Sequence, residues 1–160
     1  MMKIIGVDAS TKRIAIVQFK DGNLDDWNLI STMEVALDER IFDLYHKFKE
    51  QIECRFKPDL VIFEEIPYVR NFRATRALSE IVGCCKLVCQ ENNINYRVVN
   101  NTVWKKQVLG NGRATKDEIK AFVIAKYPIL AFEKQDILDA CAICLMGVNR
   151  VKEGVESNGI

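Results

Sequence analysis

Lys3-Ile4-Ile5-Gly6-Val7-Asp8-Ala9-Ser10-Thr11 decides how the rest of this 160-residue chain is read. An apolar run rich in β-branched residues ends in one aspartate, and small polar residues follow. That pattern describes a buried strand delivering a carboxylate to a sheet edge. A buried carboxylate is costly unless it is paired, hydrogen-bonded or bound to a metal. Two other stretches offer it company: Leu60-Val61-Ile62-Phe63-Glu64-Glu65 and Asp136-Ile137-Leu138-Asp139.

Working outward from the first strand, residues 13–20 and 26–33 alternate like two more strands, joined through the turn signal Asp21-Gly22-Asn23. Short connections make these three an antiparallel meander. A helix follows, with Asp38 as its N-cap and Ile41, Leu44, Tyr45, Phe48 and Ile52 on one face as far as Phe56. Lys57-Pro58-Asp59 breaks it. Residues 60–64 form a continuous apolar strand, as expected of a central strand covered on both faces. A long helix is predicted over 72–90, a fifth strand over 95–99 and a short helix over 102–109. Thr115 and Glu118 make a capping box for a helix to Tyr127, and a last helix covers 135–148. The order β-β-β-α-β-α-β-α-α-α predicts an α/β fold of the ribonuclease H-like plan. Its five-stranded mixed sheet has three antiparallel and then two parallel strands, with helices on both faces. In that plan the first and fourth strands are neighbours, so Asp8 and Glu64 leave the sheet side by side. One domain is expected over residues 1–150, with 151–160 a flexible tail.

Composition narrows the class. Half the residues are hydrophobic, enough for a core without staples. No window approaches the roughly 18 apolar residues of a membrane span. The chain enters a strand with no charged-then-apolar leader, so a cytoplasmic location is expected. Its six cysteines are then thiols, and Cys141-x-x-Cys144, lying in an apolar helical run, reads as packing rather than as a zinc or redox site. The net charge of +1 hides an uneven distribution: −4 over residues 1–69, +6 over 70–120 and −1 over 121–160. A basic middle beside acidic flanks suits a phosphate-facing surface next to an acidic metal site.

Asp8, Glu64, Asp136 and Asp139 are the candidate metal ligands and catalytic groups. Asp136 and Asp139 share one helical face at i and i+3. Crowded carboxylates raise one another's pKa, and so call for cations. Their hard oxygens suit Mg²⁺, with Mn²⁺ as substitute, and two ions about 4 Å apart can activate a water and stabilise a leaving oxygen at a phosphodiester. Asp8 alone could be a turn residue and Asp136 alone a helix-start charge. Asp139, interrupting an apolar face, is harder to explain that way. Glu65 competes with Glu64, because strand alternation sends only one of them to the cluster. Lys105, Lys106, Arg113, Lys116 and Lys120 flank Gly110-Asn111-Gly112, where glycines would let backbone approach a phosphate chain. Arg70, Arg73 and Arg76 recur every third residue at the start of the long helix. His46 reads as surface, and Trp27 and Trp104 as core or half-buried.

Several of these pieces resemble RuvC-type Holliday-junction resolvases: Ile5-Gly6-Val7-Asp8, Phe63-Glu64-Glu65, the stretch from Lys106 to Lys116, and Asp136-Ile137-Leu138-Asp139-Ala140. The resemblance runs nearly the full length. It implies a homodimer that uses Mg²⁺, with two ions per site, to nick four-way DNA junctions, without organic cofactor or membrane. It casts Asp8, Glu64, Asp136 and Asp139 as the metal-binding four, and matching Asn71 favours Glu64 over Glu65. It assigns DNA contact to Lys116 and to Lys105 or Lys106. It suggests Tyr68 or Phe72 as an aromatic stacked on an opened base, a contact worth roughly 1–3 kcal/mol. Bacterial members usually carry Asp-Pro-Gly after the first strand. Asp8-Ala9-Ser10 looks more like phage-type members, which leaves the cleavage sequence open.

Three other readings compete. A ribonuclease H-like nuclease could act on another nucleic acid. A sugar-kinase or actin-like phosphotransferase shares the fold but needs two such domains around a nucleotide. A non-enzymatic DNA-binding protein of the same fold would not need all four carboxylates.

Overall fold

The computed structural model describes residues 1–67 and 71–154. Five strands, β1 (Lys3–Ala9), β2 (Arg13–Lys20), β3 (Asn23–Ser31), β4 (Leu60–Glu64) and β5 (Asn95–Val99), form one sheet in the order β3-β2-β1-β4-β5. The β1–β2 and β2–β3 pairs are antiparallel, and β1–β4 and β4–β5 are parallel. The helices are α1 (Leu37–Glu50), α2 (Phe72–Glu91), α3 (Asn101–Leu109), α4 (Lys116–Lys126) and α5 (Gln135–Lys152). This is the predicted mixed sheet with helices on both faces.

Alternation along the strands sorts the core into two layers. Ile5, Val7, Ile14, Ile16, Val61 and Phe63 join one cluster with residues of α1 and α2. Ile4, Ala15, Val17, Phe19, Leu60 and Ile62 join the other with residues of α3, α4 and α5. Parity carries through to the strand ends. Asp8 follows Ile4 and Gly6, Glu64 follows Leu60 and Ile62, and Arg13 precedes Ala15 and Val17, so all three belong to the α5 face.

Helix α5 is buried almost throughout from Ile137 to Val148. It lies unusually close to β1. A Cβ on Gly6 would stand 2.3 Å from the Ala140 carbonyl oxygen and 2.6 Å from the Cys144 nitrogen. A Cβ on Gly147 would meet Ile62 at 2.9 Å and Ile4 at 3.3 Å. Two absent side chains thus let a helix lie directly on the sheet, two residues before Asp8. Cys141 and Cys144 are fully buried there, and burial pushes both thiols up, Cys141 to about 12. They pack, as their surroundings in the sequence implied.

Boundaries differ from expectation in four places. β3 spans Asn23–Ser31, not 26–33, because Asp21 (φ 50°) and Gly22 (φ 82°) alone make the turn. Both residues have positive φ, as a two-residue hairpin turn of primed type requires. Helix α1 starts one residue before Asp38, which sits in its first turn instead of capping it; Ala36 is the N-cap. Its continuation Gln51–Phe56 is π-helical and ends at Lys57 (φ 46°). Helix α5 runs on to Lys152, four residues past the expected end at 148; residues 155–160 lie outside the described region. His46 is exposed, against Phe42 and Tyr45. Trp27 is half-buried and donates to Glu133 at 2.9 Å. No described helix is long and apolar enough to cross a membrane.

Candidate active site

Asp8 is the next-to-last residue of β1, paired with Ala15 of β2, and Val7 before it pairs with Phe63 of β4. The next residue of β4 is Glu64, so the two carboxylates leave adjacent parallel strands on the same face. Helix α5 brings Asp139 and Asp136 to that edge, held there by the close packing on Gly6. The electrostatics confirm the gathering. Burial pushes the Asp8 carboxyl up to about 8, and the charges of Asp139, Glu64 and Asp136, in that order, add to the rise; Lys116 opposes it. Burial likewise raises Asp139, against hydrogen bonding by Gln135 and the charge of Lys116. Asp8 and Glu64 also line a cleft of about 20 Å³ with Phe63, Pro67, Leu78 and Val82. That is room for about one water.

Among the described residues, three of the four carboxylates have a single oxygen engaged. Glu64 Oε1 accepts from Trp104 Nε1 at 2.9 Å and from Asn101 Nδ2. Asp139 Oδ1 accepts from Gln135 Nε2 at 2.8 Å. Asp136 Oδ2 meets Arg13 at 3.2 Å. Among the described residues, nothing donates a hydrogen bond to Asp8. Also among them, no three His, Cys, Asp or Glu side chains close on one point as a finished cage. The donors share one edge of the sheet without closing on a single point. Four hard-oxygen groups, one of them unable to ionise freely without a cation, fit a divalent hard metal.

Strand parity separates the two glutamates. Glu64 turns to the α3–α5 side, whereas Glu65 is exposed and accepts from Asn100 Nδ2 at 2.8 Å. Asn100, the N-cap of α3, and Asn101 thus bind Glu65, just past the end of β4, and Glu64, its last residue. Asn101, Trp104, Gln135 and Arg13 are contributors that the sequence reading missed. Trp104 had a signal: a buried indole N–H normally finds an acceptor. Arg13 had one too, in its parity with Ala15.

The basic residues divide. Lys116 lies close enough to the acidic edge to lower both Asp8 and Asp139. Lys105 is half-buried with its ammonium 5.7 Å from the Trp104 ring, while Lys106, Arg113 and Lys120 are exposed on α3, the following loop and α4. Arg73 and Arg76 are exposed on the first turns of α2, and Arg76 is tied to Glu80 at 2.9 Å. Phe72 is 76% exposed. Arg70 and Tyr68 lie outside the described residues. The loop glycines have roles within the fold. Gly110 ends α3 at φ +80°, and at Gly112 a Cβ would stand 2.8 Å from Thr102. The fold itself thus demands both glycines, where the sequence had suggested phosphate approach.

The family described as crossover junction endodeoxyribonuclease RuvC matches residues 4–147. The chain belongs to the RuvC family. Members of this family are endodeoxyribonucleases, and metal-dependent ones. The RuvC of Carboxydothermus hydrogenoformans is 29% identical over 91% of this chain and 95% of its own length. That of Aliarcobacter butzleri is 30% identical over 94% and 100%. Among solved structures, Thermus thermophilus RuvC in complex with Holliday junction substrate superposes with a TM-score of 0.77 at 19% identity, covering 96% of this chain and 97% of that one. At that identity the likeness concerns the fold alone.

Proposed function

We propose that this RuvC-family chain nicks four-way DNA junctions by metal-assisted hydrolysis at the edge where β1, β4 and α5 meet. The observation that carries the reading is the convergence of Asp8, Glu64, Asp136 and Asp139 around a carboxyl pushed up to about 8. Asp8, Glu64, Asp136 and Asp139 would hold Mg²⁺, or Mn²⁺ in its place. A pair of such ions supplies a water activated at neutral pH and charge stabilisation for the leaving oxygen. The chain's own residues do the rest. Lys116 is positioned to take a phosphate beside the carboxylates. Lys106, Arg113 and one face of α3 extend that contact along the backbone, with Lys105 stacked against Trp104. Arg73, Arg76 and Phe72 lie on a separate basic arm at the start of α2, suited to a second strand of a branched substrate. Phosphate contacts of this kind position the DNA without reading its sequence.

A homodimer completes the proposal. A twofold axis relating two such sites would match two symmetric strands of a junction. The RuvC proteins that this chain resembles over most of their length are named for crossover junctions, which supports that substrate over a plain duplex or an RNA–DNA hybrid. The test is to incubate the protein with a labelled four-way junction, a linear duplex and an RNA–DNA hybrid, each with Mg²⁺ and with EDTA. Paired nicks in the junction alone, abolished by EDTA and by Asp8→Asn or Asp139→Asn, are expected. Cutting confined to the hybrid would assign the site to a ribonuclease H activity instead.

A further inference from the structure

The geometry points to Asn101 and Trp104 as positioning residues that clamp one oxygen of Glu64 and leave the other for the cation. This rests on the metal-site reading given above. The two side chains stand one helical turn apart on α3, at i and i+3, so they present neighbouring groups to the same point. Both reach Glu64 Oε1: the Trp104 indole Nε1 at 2.9 Å and the Asn101 amide. An indole nitrogen can only donate, and an amide facing a carboxylate offers its NH₂. Oε1 is therefore saturated by neutral donors, and among the described residues Oε2 accepts from no donor, which leaves it to ligate.

The clamp is rigid at its base. Trp104 is 1% exposed and belongs to the core cluster that also holds Val99, Ala114, Ile119 and Ile137. Its ring cannot turn without repacking that layer. Glu64, by contrast, is a glutamate at a strand end with three side-chain torsions to fix. Asn100 helps from behind by capping α3 through the Thr102 N–H at 3.0 Å. The helix start is thereby pinned where β4 ends. The same helix carries Lys105 and Lys106, so the element that orients the metal ligand also faces the proposed DNA path.

Outer partners that orient a metal ligand typically contribute about 10- to 100-fold in metal affinity or activity. Trp104→Phe keeps an aromatic ring and removes the N–H. Asn101→Ala removes the second donor at a half-buried position and carries the test if Trp104→Phe fails to fold. Mn²⁺ alone is titrated calorimetrically into the full-length chain and each variant. Junction binding in EDTA and nicking kinetics are measured beside it. The expected result is Mn²⁺ affinity weakened about tenfold or more and kcat lowered, with KM for the junction and binding in EDTA unchanged. A merely structural role would move the unfolding midpoint but not the split between kcat and KM. Variants that bind Mn²⁺ as the wild type does and keep its kcat overturn the clamp. Weakened Mn²⁺ binding in the variants, with a wild type that leaves the junction intact, supports the clamp and defeats the junction reading.

Discussion

Asp8 keeps its proton in the folded, metal-free chain up to about pH 8, whereas an unfolded aspartate releases it at about pH 4. Folding therefore takes up a proton between those limits, and metal-free stability falls as pH rises across that window. Asp8→Asn removes the penalty. Its stabilisation should be on the order of 5 kcal/mol at pH 8 and vanish as pH approaches about 4. Urea unfolding in EDTA across the range checks both size and sign; a variant no more stable than the wild type at pH 8 would show that the carboxylate is not strained. The same variant should bind junctions normally and cut none. Lys116 behaves in the opposite way, since it opposes the rise at Asp8 and faces the proposed phosphate path. Lys116→Ala should weaken junction binding most at low salt, and lower the slope of log K against log salt by about 1. An unchanged slope would remove Lys116 from the DNA surface.

Helix α5 reaches the site because β1 has no side chain at Gly6 and α5 has none at Gly147. Gly6→Ala places a methyl 2.3 Å from a backbone oxygen, with no flexible neighbour to yield. The helix must lift, at a cost of about 3 kcal/mol or more, since overpacking a tight core commonly costs 1–3 kcal/mol. Asp136 and Asp139 would lift with it, so activity should fall more steeply than stability alone accounts for. Denaturant unfolding and nicking assays on one preparation separate the two losses. Helix α4 offers a milder case. Thr115 and Glu118 close the predicted capping box, with Thr115 Oγ1 accepting from the Glu118 N–H at 3.2 Å and Glu118 accepting from the Thr115 N–H at 2.6 Å. Thr115→Ala should cost about 1 kcal/mol in urea unfolding. Lys116 is the first residue of that helix. A loosened cap should therefore weaken junction binding slightly.

At the scale of the molecule, charge is segregated. The −4 of residues 1–69 and the +6 of residues 70–120 meet at the sheet edge, where Lys116 lies beside Asp8 and Asp139. A junction has two symmetric strands to cut, and the described residues of one chain supply a single such acidic edge. Light scattering should give twice the 18.3 kDa chain mass, and dimers mixed from wild type and Asp8→Asn should nick one strand only. A monomer that makes both nicks would discard the twofold arrangement.

Element order, strand pairing and the four carboxylates were legible in sequence because each rests on a local pattern. Apolar alternation marks strands, capping residues and prolines mark helix ends, and a charge after Val61-Ile62-Phe63 or inside Ile137-Leu138-Asp139-Ala140 stands out against an apolar run. Boundaries were less legible where a turn takes two residues in place of three, as at Asp21-Gly22, or a helix passes into a π-helical turn, as at Gln51. The glycines were visible, but not their reasons: Gly6 admits α5, and Gly112 yields to Thr102. Which donor meets which carboxylate depends on packing between residues far apart in the chain, such as Arg13 with Asp136 and Trp104 with Glu64. Sequence by itself determined the strand that ends in Asp8 and the residues available to join it. Tertiary structure alone decided that, among the described residues, Asp8 accepts no hydrogen bond while Glu64, Asp136 and Asp139 each have one oxygen engaged, because only the close seating of α5 and α3 against the sheet brings burial, charge and hydrogen-bond donors to one edge.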